Sequence, residues 1–255
     1  MSVIFEDLKG KHVLITGGTG GIGGGLTPAF AQQGSIVSVL GRDAEKGQAL
    51  ADKCNAEGGN VHYYPCDVTD TAQLVDVLHQ IQQELGTAHV LINNAGYDPR
   101  YNLLEMTEQQ WDDLFKLNIG HYFITCRELI PGMIKAGGGS IIMTTSHQFW
   151  IAFPELTAYT ATKGAIIGMV RSLAGAVGKH NIRVNALAPG WVMTERQLAE
   201  MVTPEIQHKL FNEQQILPMF LTPEDLAPSY LFLASEASKP ITRQTLVVDA
   251  GFAMT

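Results

Sequence analysis

The chain is short of cysteine, of positive charge and of long apolar runs, and each shortage closes off a class of protein. Its three cysteines, Cys54, Cys66 and Cys126, have no paired spacing. They make neither a disulfide framework nor a zinc signature, and read as buried thiols of a reducing compartment. There is no HExxH, no Cys–His metal spacing, no GxSxG elbow and no Gly-Lys-Ser/Thr phosphate loop. The eight histidines are scattered, so no metal is expected. Lys and Arg number 17 against 25 Asp and Glu, a formal net charge of −8, which argues against nucleic acid or an anionic membrane as partner. No stretch approaches the ~18 apolar residues of a membrane span. The start of the chain carries Glu6 and Asp7 instead of a basic segment before an apolar run, so no signal peptide is expected. These readings point to a cytoplasmic protein acting on a small molecule.

What is abundant is glycine, 26 residues gathered in clusters, and alternation of short apolar runs with helical periods. His12 to Thr16, Ile36 to Leu40, Val61 to Pro65, His89 to Ile92, Ser140 to Thr144, Ile182 to Leu187 and Thr245 to Val248 read as strands. Helical spacing fills 21–33, 43–57 and 70–85. Two helices are expected in 107–136, with the glycines at 137–139 ending the second, and a long helix over 157–178. This order predicts one α/β domain over 1–255, a doubly wound, parallel, seven-stranded sheet with helices on both faces. Such sheets bind ligands at the carboxyl ends of their strands. A polar, helix-prone insertion at 194–221 is expected to act as a lid.

The first strand runs into Gly17-Gly18-Thr19-Gly20-Gly21-Ile22-Gly23. Glycine allows the tight turn and lets backbone approach a pyrophosphate, and the helix N-terminus that follows offers free N–H groups. A dinucleotide site is expected. The second strand ends Leu40-Gly41-Arg42-Asp43. Gly41 stands where an NAD-type acid belongs, and the Arg42 guanidinium suits a 2′-phosphate. NADP is therefore preferred, with NAD as the alternative because Asp43 could meet a ribose or cap the next helix. Asp67 reads equally as an adenine contact or as a cap for the helix near Asp70.

Tyr159 and Lys163 lie one turn apart on the long helix. A cation beside a phenol favours its phenolate, which makes Tyr159 a candidate proton carrier. Ser146 follows the fifth strand, thirteen residues before Tyr159. Asn118, expected at the start of a helical segment, suits a water that links Lys163 to solvent.

With these residues in place the chain resembles the short-chain dehydrogenase/reductase family over nearly its whole length, and its Rossmann fold is implied. TGGTGGIG at 16–23 is similar to the family's cofactor loop and NNAG at 93–96 to its marker. Asn118, Ser146, Tyr159 and Lys163 fall on its catalytic tetrad. The resemblance implies tyrosine as acid/base, serine on the substrate oxygen, lysine on the nicotinamide ribose and asparagine in a proton relay. It implies a cofactor site from Gly17, Thr19, Gly21, Ile22, Gly23, Arg42, Asp67, Val68, Asn94, Ala95, Gly96, Tyr159 and Lys163, with Pro189, Gly190, Val192 and Thr194 at the nicotinamide. It also implies a homo-oligomer, tetramer or dimer; the apolar end around Phe252-Ala253-Met254 suits either an interface or simple packing. Enoyl reductases that resemble the family space Tyr and Lys more widely. Two departures stand out. Position 20 is Gly where many NADP members carry a basic residue, and Thr242-Arg243 replaces the usual Thr-Gly, putting that turn in question.

The substrate pocket is expected from the loops after strands four to six: Tyr97-Asp98-Pro99-Arg100, then His147, Gln148, Phe149 and Trp150, then Trp191, Glu195, Arg196 and Gln197. Polar pairs with aromatic faces suit a polyhydroxylated ligand better than a steroid or acyl chain. NNAG-x-D-x-R with T-x-R-Q resembles the bacterial aldose 1-dehydrogenases, which oxidise a sugar hemiacetal to a lactone. Ser146, Tyr159, Asp98, His147, Arg196 and Gln197 are the candidate substrate contacts. The alternatives are an NADPH-dependent ketone reductase for acyl, steroid or other secondary-alcohol substrates and, since fold does not fix function, a non-catalytic cofactor-sensing protein.

Overall fold

Along β1 (His12–Thr16) every residue is buried, which requires cover on both faces and pairing on both edges. The computed structural model describes residues 3–253 and provides both. β1 pairs in parallel with β2 (Ile36–Gly41) on one edge and β4 (Val90–Asn93) on the other. With β3 (Asn60–Pro65), β5 (Gly139–Thr144), β6 (Ile182–Pro189) and β7 (Thr245–Val248) the order is β3-β2-β1-β4-β5-β6-β7, parallel throughout. The chain reverses direction across the sheet between β1 and β4, so a crevice opens beyond Thr16 and Asn93.

Alternation along the strands sorts the core into two layers. Val13 and Ile15 pack with Leu26 and Phe30 of α1 (Gly21–Gln32), near Ala51 of α2 (Ala44–Ala56), and with Leu226 and Tyr230 of α10 (Pro223–Ala234). Leu14 packs on the other face with Leu74 and Leu78 of α3 (Thr71–Leu85), Leu129 of α5 (His121–Lys135), and Ile166 and Val170 of α7 (Thr157–Val177). Asp43 caps α2 by accepting from Lys46 N–H at 3.0 Å, and Asp70 caps α3 by accepting from Gln73 N–H at 3.0 Å.

Several expectations need correction. Asp67 does not cap α3; its carboxylate turns back on Thr69, accepting from the N–H at 2.9 Å and the hydroxyl at 2.7 Å. Asn118 does not begin a helix. It sits in a π-helical turn, Lys116–Gly120, that joins α4 (Glu108–Phe115) to α5. Helix α10 was not foreseen, although Thr222-Pro223-Glu224-Asp225 carries both its capping box and a proline in its first turn. Arg243 does take a left-handed conformation, φ 66°, and the turn closes with its N–H donating to Val184 O at 2.7 Å. Residues 194–221 hold two short helices, α8 (Glu195–Glu200) and α9 (Pro204–Lys209), and a π-helical turn. The segment returns to the sheet through the Val192–Leu221 bridge. A further short helix, α6 (Gln148–Ile151), follows β5. Met254 lies outside the described residues.

Two buried histidines set an acid limit on this fold. Burial pushes His12 down to about 4 and His121 down to about 3, with both rings bonded inside the core, His12 to Ser38 and Gly86, His121 to Leu117 and Thr16. Below the ordinary value of 6.5 the unfolded chain takes up protons that the fold refuses, so stability is full above 6.5 and is lost as pH falls towards 4. Two such groups remove on the order of 3–4 kcal/mol between pH 6.5 and 5. Urea unfolding at the two pH values checks this; an unchanged unfolding free energy contradicts it.

Candidate active site

The crevice is a cleft of about 690 Å³ that runs from the β2 tip to the C-terminal turn. Gly17, Thr19, Gly21 and Ile22 line its floor, with Arg42 and Lys46 at one end and Asn94, Ala95 and Gly96 along the side. The floor cannot carry side chains. A methyl group on Gly17, whose φ is 64°, would stand 2.8 Å from Ala95 Cα, and Gly17 is therefore glycine for both conformation and space. Asn94 ties the loop to β4, donating from Nδ2 to Thr16 O at 3.3 Å and Gly17 O at 3.2 Å. Opposite, Val68 forms the wall and Asp67 does not. Pro189, Gly190, Val192 and Thr194 line the other side. A bare glycine floor at a helix N-terminus, with a guanidinium at the β2 tip, fits a dinucleotide. Asp43 beside Arg42 caps α2 through Oδ1.

Beyond this cradle Ser146, Tyr159 and Lys163 meet at the cleft wall. Just past β5, the Thr145 hydroxyl donates to Lys163 O at 2.8 Å and sets α7 against the strand end. Ser146 Oγ accepts from Gln148 N–H at 3.1 Å and also hydrogen-bonds the Tyr159 hydroxyl. Lys163 is buried, its Nζ donating to Thr144 O at 3.0 Å and standing 5.3 Å from the Tyr159 ring centroid. Burial pushes this ammonium down to about 8, against an opposing pull from Asp98. Within the protein alone Tyr159 moves the opposite way from the sequence expectation. Desolvation raises the phenol, Asp98 adds to this, and Ser146 and Arg196 only partly pull it back.

Asn118 is fully buried behind the wall. Its Oδ1 accepts from Tyr97 N–H at 2.8 Å and its Nδ2 donates to Tyr97 O at 2.9 Å. A methyl group on Gly96 would lie 3.1 Å from Asn118 Oδ1 and 3.5 Å from Lys163 Nζ. The two polar ends thus converge on one space that glycine keeps open.

Three of the sequence candidates form a single network. Arg196 on α8 binds the Asp98 carboxylate through Nη2 and lies 4.9 Å from the Tyr97 ring centroid, while Gln197 donates to Asp98 from Nε2 at 3.1 Å and accepts from Trp191 Nε1 at 2.8 Å. At the cofactor end of α8, Glu195 meets Lys46 at 2.6 Å. Phe149 and Trp150 do not line the cleft; Phe149 packs beside Gly164. Tyr97 and Trp191 do line it, and Phe153 and Phe252 add further aromatic faces. Sequence reasoning missed these two phenylalanines, together with Lys46. Phe252 had no strand or helix period to mark it, and Phe153 follows a left-handed residue, Ala152, that redirects the chain.

Residues 17–253 match the family model described as enoyl-(acyl carrier protein) reductase. The chain is 39% identical over 248 residues to a probable galactose dehydrogenase of Rhizobium meliloti strain 1021, covering 97% of this chain and 96% of that one. It is 36% identical over 251 residues to a D-xylose 1-dehydrogenase of Caulobacter vibrioides, covering 98% and 99%. Its fold matches a 7α-hydroxysteroid dehydrogenase complexed with NADH and 7-oxo glycochenodeoxycholic acid, with a TM-score of 0.92, 31% identity and 98% of each chain covered. The chain belongs to the short-chain dehydrogenase/reductase family. It is an NAD(P)-dependent oxidoreductase acting on CH–OH groups. Among the described residues no helix is long and apolar enough to cross a membrane.

Proposed function

We propose that the enzyme oxidises an aldose at C1 to the lactone with NADP, Tyr159 carrying the proton. One observation supports this best: the cleft that joins the glycine floor to Ser146, Tyr159 and Lys163 combines polar groups, the Asp98–Arg196–Gln197 network and His147, with the apolar faces of Phe153, Leu156 and Phe252. Hydroxyls need such partners and an acyl chain does not. The similarity to dehydrogenases named for galactose and xylose supports the same substrate class.

Gly17, Thr19, Gly21, Ile22 and the closely packed Gly23 would hold the pyrophosphate, and Arg42 the 2′-phosphate. Val68, Asn94, Ala95 and Gly96 would flank the adenosine and ribose, and Pro189, Gly190, Val192 and Thr194 the nicotinamide. Bound NAD(P) supplies the hydride acceptor and, when oxidised, a positive charge near the phenol. Ser146 would donate a hydrogen bond to the substrate oxygen and fix it. Tyr159 takes the hydroxyl proton, and Lys163 holds the adjacent cationic site that favours the phenolate. The gap between Lys163 and Asn118 is placed for a water that passes the proton on. Residues 194–221 act as the lid, and α8 clasps the cleft from both ends through Glu195–Lys46 and Arg196–Asp98. A cytoplasmic location and a dimer or tetramer belong to the same proposal; Phe123, 56% exposed on α5, offers apolar surface to a second copy.

Ketone reduction on an apolar substrate is the second reading, favoured by the fold match to the hydroxysteroid enzyme. Comparing initial rates on aldoses and apolar ketones separates the two. For the cofactor, Arg42→Ala is expected to raise KM for NADP at least tenfold, the scale of a lost charge-assisted bond, and leave NAD within twofold. Steady-state kinetics with both cofactors checks this, and equal effects would refute the phosphate role.

A further inference from the structure

His147 follows Ser146 directly, and the residue is 4% exposed yet lines the cleft. Nδ1 faces Asp249 Oδ2 at 3.4 Å. Nε2 makes no hydrogen bond among the described residues, and it is not one of their sealed, unsatisfied polar atoms. It therefore keeps some accessible surface, on a residue that lines the cleft.

Asp249 is held by the turn that follows β7. Its Oδ1 accepts from the N–H groups of Gly251 at 3.0 Å and Phe252 at 3.2 Å, and its Oδ2 from Ala253 N–H at 2.7 Å. Ala250 and Gly251 are both left-handed, φ 57° and 78°, a conformation that turns successive N–H groups inward on an anion. Burial would raise this carboxyl, but His147 and these N–H groups outweigh it and hold it below the usual range. A carboxylate has no proton to give, so Nδ1–H is the donor to Asp249. In the neutral ring Nε2 then carries a lone pair. The same turn delivers Phe252 to the cleft, its ring 5.0 Å from that of His147 and 6.4 Å from that of Phe153.

We infer that the C-terminal turn builds a hydroxyl-reading subsite: His147 Nε2 accepts a hydrogen bond from a substrate hydroxyl, Asp249 is the positioning residue that fixes the ring's tautomer, and Phe252 supplies an apolar face beside it. The selectivity follows from the acceptor. A polyol has hydrogens to donate to Nε2, whereas a keto group or an acyl thioester carbonyl has none. The turn also carries the lid, since Ala250 O accepts from Ile216 N–H and Leu217 N–H, each at 3.0 Å. Lid stem and subsite therefore share one anchor. This inference rests on the aldose reading and deepens it.

The test uses the full chain and the aldose that the wild type turns over fastest. His147→Ala is expected to raise the aldose KM about tenfold, the scale of one hydrogen bond to an otherwise buried partner, with kcat within threefold and the cofactor KM unchanged. His147→Gln, which can present Oε1, is expected to recover part of this. Asp249→Asn keeps an acceptor for the turn but offers N–H to Nδ1, reversing the tautomer and raising the aldose KM similarly. Adding it to His147→Ala should do nothing more, because Asp249 acts through the ring; additive effects would mean a merely structural role and overturn the inference. If Asp249→Asn does not fold, the two His147 variants and a long-range 1H–15N spectrum of the wild type decide. A proton on Nδ1 supports the assignment, and one on Nε2 or an unmoved aldose KM overturns it. Wild type that reduces only apolar ketones defeats the aldose reading separately, and the spectrum then still decides the acceptor.

Discussion

Tyr159→Phe is expected to lower kcat by roughly 100- to 10,000-fold, the usual range for losing a positioned acid/base, while NADP affinity stays within twofold. The substitution removes one oxygen and leaves the ring against Lys163. Ser146 still fixes the substrate oxygen, because Gln148 N–H still orients its hydroxyl. What disappears is the atom that exchanges the proton. Since desolvation and Asp98 raise this phenol, the wild type should oxidise its alcohol faster as pH rises and reduce the product faster as pH falls. Tyr159→Phe should flatten both trends in whatever rate remains. Stopped-flow kinetics with calorimetric binding of NADP separates loss of chemistry from loss of cofactor. Retention of kcat within tenfold would remove Tyr159 from the mechanism.

The second large effect is expected at two adjacent glycines that should respond with opposite sign. A methyl group on Gly23 would stand 2.1 Å from Gly17 O and 2.8 Å from Gly18 Cα. Both obstacles are backbone and neither can swing away. Gly17 O also accepts from Asn94 Nδ2, and Thr27 Oγ1 bridges Gly18 O at 2.8 Å and Gly23 O at 3.1 Å, so a shift in the loop loosens its tie to β4. Gly23→Ala should cost about 2–4 kcal/mol, in line with forced overpacking, and weaken NADP binding by more than tenfold. At Gly24 the nearest atom to the added methyl is Thr19 C at 3.7 Å, ordinary contact. This residue lies inside α1, so Gly24→Ala should stabilise by about 0.5–1 kcal/mol and leave NADP binding intact. Chemical denaturation of the two variants checks the pair. Effects of the same sign would show that the close approach at Gly23 does not constrain the loop.

The inner strands were legible because burial on both faces demands continuous apolar runs, and all seven ended within a residue or two of the observed limits, although β3 and β7 at the edges are only partly buried. The helices that failed were those whose cause is tertiary. The π-turn that carries Asn118 depends on how α4 and α5 meet α7, and no period in the sequence marks it. Helix α10 is the exception, since Thr222 and Pro223 mark its start locally. At the site, Ser146, Tyr159 and Lys163 were legible because a strand end and a helix period fix their positions. The pocket walls were not. Phe149 and Trp150 sit on α6, which turns them from the cleft, while Phe252 arrives from about a hundred residues further along through a left-handed turn. Asp98, Arg196 and Gln197 were recognised as wall residues, but their binding to one another depends on where α8 folds back. The direction in which Tyr159 shifts was not legible for a related reason: charge proximity reads from spacing, whereas desolvation appears only once the fold has closed.

The central claim is hydride transfer between a sugar C1 and NADP. Initial rates on a panel of aldoses, alditols and apolar ketones, with each cofactor, test it most directly. An aldose with NADP is expected to give the highest kcat/KM, with the lactone as product. Turnover of apolar ketones with no aldose oxidised under either cofactor would contradict it.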